Sequence, residues 1–172
     1  MLTATISPLA QTLIPELDHE LALTRRVLAR IPAEHFDWQP HPKSMTLVHL
    51  ATHTADLLGG IAATMYTTEM DLAAFDGVTP VRPTATAGLL DLLTASGDKA
   101  RAALTAAEPE DFDQTWTLRH GEHQILSQPR AEIVRHLISH TVHHRGQLSV
   151  YLRLLDVPVP YIYGPSADEQ SA

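Results

Sequence analysis

The 172-residue chain has no cysteine. That excludes disulfides, thiolate metal ligands and cysteine nucleophiles at once. Aromatic residues are few, at 5%. Positive charge is scarce too: Lys and Arg number 12 against 20 Asp and Glu, giving a formal net charge of −8. A chain this acidic lacks the basic face that nucleic acid requires, and an anionic membrane surface would repel it. No apolar run approaches the roughly 20 residues of a membrane span, and the opening MLTATISPLAQTLIPELD lacks the basic n-region of a signal peptide. The expectation is a soluble, cytoplasmic protein with neither a nucleic-acid nor a membrane partner.

What the chain does have is apolar periodicity and histidine. Hydrophobic residues make up 44%, a globular proportion, and no repeat or long linker divides residues 1–172, so one domain is expected. Leu17, Leu21, Leu28 and Ile31 recur at helical spacing within a first helix over 9–30, where Pro15 marks a kink or the true first turn. A proline-rich loop follows. Ser44 or Thr46 can cap a second helix over 47–67, which Gly59-Gly60 weaken or allow to pack closely. The stretch DLAAFDGVTPVRPTATA reads as a second loop, and a third helix runs over 86–107. Trp116, Leu118, Ile125 and Leu126 flank a Gly121 turn and suggest a short hairpin. A fourth helix spans about 130–155 by the same periodicity, before an extended proline-rich tail. The fold class expected is all-α, a four-helix bundle with a short hairpin before the last helix.

Four of the 11 histidines fall within HLISHTVHHRGQ, residues 136–147. A helix turns about 100° per residue; with His136 at zero, the apolar stripe of the fourth helix centres near ~105°. His144 lies at about 80° and His140 at about 40°, whereas His136 and His143 lie well round the side. His140 and His144 are therefore the inward pair, four apart on one face. On the second helix His53 lies about 90° from the apolar centre and His49 about 130°, so His53 is the better inward candidate. Buried imidazoles are costly unless their polar atoms are satisfied. A divalent ion would satisfy one nitrogen of each, and three histidines with an open fourth position is a catalytic pattern. Against this stands the bland alternative that a histidine on a helix margin is simply hydrogen-bonded or half-exposed. A di-iron bundle would need Glu-x-x-His pairs on two helices, which the chain does not offer.

The segments WQPHPKSMTLVHLATH (38–53) and HLISHTVHHRGQLSVYLRLLDVPVPYIYGPSADE (136–169), with the opening SPLAQTLIPELDHEL, resemble the DinB/YfiT-like family of metalloenzymes. The resemblance covers nearly the whole chain. It implies a four-helix bundle in up-down-down-up order, a homodimer, and one divalent metal held by His53, His140 and His144. Zinc or nickel are the first candidates, with iron or manganese next. Valine at 48 and aspartate at 156 stand where relatives commonly carry glycine.

What the resemblance implies about activity is a class: a metal-dependent, thiol-dependent transferase or a hydrolase acting on a small molecule, with a low-molecular-weight thiol as co-substrate, in detoxification or stress response. The alternative is a non-catalytic, dimeric metal-binding stress-response protein. Around the site, Gln147 lies near His140 and His144 on the wheel and is a candidate to orient a ligand or substrate, as is His49, for which a surface position is the favoured reading. Tyr161 and Tyr163 in the tail are candidates to fold back over the pocket as hydrogen-bond donors, or to anchor the tail. Arg145 points away from the imidazoles and is read as an ion-pair or interface residue. Gly146 in mid-helix suggests that another helix approaches closely.

Overall fold

The computed structural model describes residues 6–80 and 82–171. Five helices carry the bundle: α1 (Pro8–Leu28), α2 (Leu47–Asp56), α3 (Gly60–Tyr66), α4 (Thr86–Ala106) and α5 (Arg130–Leu154). The Ser7 side chain accepts from the Ala10 amide and Pro8 occupies the first turn, so α1 begins as a capped helix should. Pro15 lies inside α1 and is exposed, so the hydrogen bond it removes is lost on the solvent side. Thr46 rather than Ser44 caps α2, accepting from the His49 amide.

The second helix is not continuous. A 3-10 turn over Leu57–Gly59 separates α2 from α3. The two glycines there allow close packing: a Cβ at Gly59 would sit 3.2 Å from Ser96 Oγ on α4, and one at Gly60 would sit 3.3 Å from Leu137 on α5.

Side-chain contacts give the helix directions. Asp18 meets Arg101 and Arg25 meets Thr94, so α4 runs antiparallel to α1. Glu16 meets Arg135 and Glu20 meets Arg145, so α5 runs parallel to α1. Leu47–Ala51 pack with Leu89 and Leu93, whereas Met65 packs with Ala103 and Ala107, so α2 and α3 run with α4. The core forms two apolar clusters. One gathers Leu13, Leu17, Leu58, Ile61, Leu104, Val134 and Ile138; the other gathers Val27, Leu28, Leu47, Leu50, Leu93, Leu148 and Leu152. Between them along α1, α4 and α5 fall buried polar side chains: Glu20 and Thr24, Ser96, and Thr141, His144 and Arg145; on α2 the buried Thr54 lies beside Ala55 of the second cluster.

The all-α expectation is corrected by a three-stranded mixed sheet. The hairpin strands β2 (Thr115–His120) and β3 (His123–Pro129) pair antiparallel around Gly121, whose φ is +56°. A third strand, β1 (Glu69–Asp71), pairs parallel to β2; it lies between the expected second helix and the segment read as a loop, sharing only Asp71 with that loop. Its sequence EMD has poor strand propensity. It is held from outside: Arg119 donates to Glu69 (2.9 Å) and pairs with Asp71, and Asp71 accepts from the Gly121 and Ala73 amides, each at 3.0 Å. Trp116 ties the sheet to the end of α3, its Nε1–H donating to Thr67 Oγ1 at 3.0 Å.

Candidate metal centre

The polar waist between the two apolar clusters is where the histidines meet. His53 lies among Leu50, Ala51 and Ala55 of one cluster, with Leu58 of the other one turn beyond; Ile138 and Leu148, of different clusters, bracket His140 and His144. Antiparallel packing of α5 against α2 then brings the three rings together. Ring centroids lie 4.5 Å apart for His140 and His144, 4.7 Å for His53 and His144, and 5.4 Å for His53 and His140. One nitrogen from each lies within 4.8 Å of the others. His144 is buried at 7% exposure, while His53 and His140 are half-buried, so the group is reached from the surface between α2 and α5.

The hydrogen bonds indicate what these nitrogens can do. His144 Nδ1 lies 2.7 Å from Gln147 Oε1. An amide oxygen only accepts, so Nδ1 carries the proton and Nε2 is left as an acceptor. His144 Nε2 faces His140 Nε2 at 2.8 Å. In that tautomer His144 Nε2 accepts from His140 Nε2–H, a hydrogen bond that an ion taking both nitrogens would replace. Burial, reinforced by the neighbouring His144, pushes His140 down to about 4. Burial also lowers His53, again with His144 adding to the effect and Asp56 opposing it. Both imidazoles are therefore neutral near pH 7, the state a metal ligand needs. Three convergent imidazoles with one tautomer fixed by an outer hydrogen bond are a donor set that suits a divalent ion.

The other singled-out residues fall elsewhere. His49 is exposed on α2. His136 and His143 are exposed and flank the group, with ring centroids 5.5 Å from His140 and 5.0 Å from His144 respectively. Tyr161 and Tyr163 lie against α1 rather than over the imidazoles. The Tyr161 ring sits beneath the Arg26 guanidinium (5.9 Å), and its amide donates to Glu169. Tyr163 donates its hydroxyl proton to Glu20 (2.8 Å) and accepts from Arg145 Nη2 (2.6 Å).

Sequence reasoning missed the residue that Arg145 serves. Arg145 is 1% exposed and pairs with Glu20 at 2.6 Å, with further bonds to the Glu20 carbonyl and Thr24. The signal was present: Glu20 falls in the stripe of Leu13, Leu17, Thr24 and Val27, and a carboxylate in that position requires a buried partner. Gly146 has no atom within 4 Å of an added Cβ, so no helix among the described residues approaches it.

A model of the DinB family matches residues 5–171. The chain is 28% identical over 153 residues to the uncharacterized protein YrdA of Bacillus subtilis, covering 88% of this chain and 86% of that one. Its fold is similar to two crystal structures. A DinB-like protein from Bacillus cereus superimposes with a TM-score of 0.67 at 21% identity, covering 89% of this chain and 97% of that one. A DinB-like protein from Bacillus subtilis gives 0.65 at 18% identity, with coverage of 84% and 92%. At these identities the structural likeness speaks for the fold.

Proposed function

The chain belongs to the DinB family, and from that premise we propose that His53, His140 and His144 hold one divalent metal ion and that the centre is catalytic. The observation that carries the reading is the convergence of three nitrogens from two helices, with no fourth His, Cys, Asp or Glu in the group among the described residues. Three protein ligands leave a coordination position for substrate, whereas a structural site is closed by four. When bound, such an ion supplies Lewis-acid chemistry, lowering the pKa of a thiol or water so that a nucleophile forms near neutral pH. The protein's own part is to supply neutral lone pairs, to fix the His144 ring through Gln147, and to seal the waist above and below with apolar clusters.

The reaction class proposed is transfer of a low-molecular-weight thiol to a small electrophile, or hydrolysis of a small molecule, by a cytoplasmic protein. Zinc or nickel is the proposed ion, ahead of iron or manganese. A homodimer is proposed as the working state. Gly146, Val150 and Leu154 lie on one exposed face of α5, with Val150 and Leu154 more than half exposed. Val150→Glu should then shift the molar mass in light scattering to that of a monomer.

The test is reconstitution with Zn²⁺ or Ni²⁺, elemental analysis, and assay against a panel of thiols and electrophiles. One ion per chain with activity lost in His140→Ala is the expected result. A loaded protein silent across the panel removes the transferase reading and leaves the non-catalytic metal-binding protein. Failure to retain any ion would show the histidines to be packing residues.

A further inference from the structure

A second site lies at the other end of α5. Arg130, its first residue, is 5% exposed, yet its guanidinium is poorly satisfied. Nη2 donates to the Thr67 carbonyl at 2.7 Å, while Nη1 reaches the Asp111 carbonyl only at 3.5 Å. Nε finds no acceptor among the described residues. The nearest carboxylate oxygen, Asp111 Oδ1, is 3.8 Å away, beyond hydrogen-bonding distance. Both Asp111 oxygens are otherwise engaged, by the Glu108 amide (3.0 Å) and the Gln114 side chain (3.1 Å). A buried cation without a hydrogen-bonded counter-charge is expensive.

The same arginine lines a cleft of about 310 Å³ between the end of α3, the end of α4 and the 109–114 turn. Met65, Ala103, Ala106 and Ala107 supply an apolar wall; Gln114 and Asp111 stand with Arg130 on the polar side, the Asp111 carboxylate being held by the Glu108 amide and by Gln114 itself. We infer that this cleft binds a small monocarboxylate with an apolar tail, its carboxylate meeting Arg130 and its tail lying against the alanines. Arginine suits a carboxylate better than any other side chain because its planar fork matches the two oxygens. The site is ten residues along α5 from His140, about 15 Å at the helical rise, and so is separate from the histidine group. It stands whether or not a metal binds there.

The probe is hexanoate, titrated into the uniformly ¹⁵N-labelled full chain, with 1-hexanol as the uncharged control. The expected result is a saturable shift of the Arg130 Nε–H signal and of the Ala106 and Ala107 amides, with hexanol at least about tenfold weaker, a difference of roughly 1.4 kcal/mol. Arg130→Gln should abolish the preference for the acid. Because that variant also loses a pin between α5 and residues 67–111, Ala106→Phe is the second test. It fills the cleft from an exposed position, leaves Arg130 in place, and should weaken hexanoate by a similar factor. No saturable shift, or equal response to acid and alcohol, would overturn the proposal and leave Arg130 as an internal fastening. His140→Ala should bind hexanoate unchanged.

Discussion

Gln147 Oε1 accepts the Nδ1 proton of His144 across one turn of α5, at 2.7 Å. Outer hydrogen bonds of this kind fix a ligand's tautomer and ring orientation, and their loss commonly costs 10- to 100-fold in metal affinity, by roughly the experience of other centres. Gln147→Ala should therefore weaken Zn²⁺ binding by about that factor in calorimetric titration. Gln147 is exposed, so the melting temperature of the metal-free protein should barely move. An unchanged affinity would mean that His144 needs no orienting partner.

Metal should stabilise the fold as well as occupy it. Binding to the native state alone adds about 2.7 kcal/mol when free ion is a hundredfold above its dissociation constant. Thermal unfolding with and without chelator should show that gain in the wild type. The gain should vanish in His53→Ala, His140→Ala and His144→Ala.

The ion pair on the other side of the waist is structural. Glu20 and Arg145 are almost wholly buried, and removing one member of such a pair leaves an uncompensated charge. Arg145→Met should cost about 3–5 kcal/mol in urea unfolding. Tyr163→Phe removes one hydrogen bond to the pair and should cost nearer 1 kcal/mol, loosening the tail as read by protease sensitivity.

Asp156 follows the end of α5 with φ at +56°. A left-handed conformation costs a non-glycine residue roughly 1–2 kcal/mol, less for aspartate than for most. Asp156→Gly should raise stability by up to about 1 kcal/mol. A loss of stability would show that the carboxylate holds the turn.

The small sheet should be sensitive to acid. The Gly121 and Ala73 amides, and then Arg119, hold the Asp71 carboxyl below its ordinary value. Because the folded value is the lower one, the stabilisation is fully present above the unfolded pKa of about 3.9 and fades as pH falls further through the folded one. Exchange of the Gly121 amide should quicken below that point. Asp71→Asn should have fast exchange at every pH.

Much of this was legible in the chain itself. Helical periodicity is local, so α1, α4 and α5 could be placed to within two residues, and the wheel alone turned His140 and His144 inward. His53 could be preferred to His49 on the same ground, and the Gly121 hairpin followed from its flanking pattern. The remainder depended on contacts between segments far apart in sequence. Nothing in EMD announces a strand, because β1 exists only through its pairing with β2 and through Arg119, 48 residues beyond Asp71. The break in the second helix lies where Ser96 and Leu137 leave little room for a side chain at Gly59 and Gly60. Tyr161 and Tyr163 could cover the imidazoles or, the favoured reading, anchor the tail; their partners Arg26, Glu20 and Arg145 take positions that only the packed bundle sets. Sequence by itself determined which faces were apolar and which histidines lay among them, since side-chain direction on a helix follows from residue number. Tertiary structure decided which faces met, since that depends on the distances between helices.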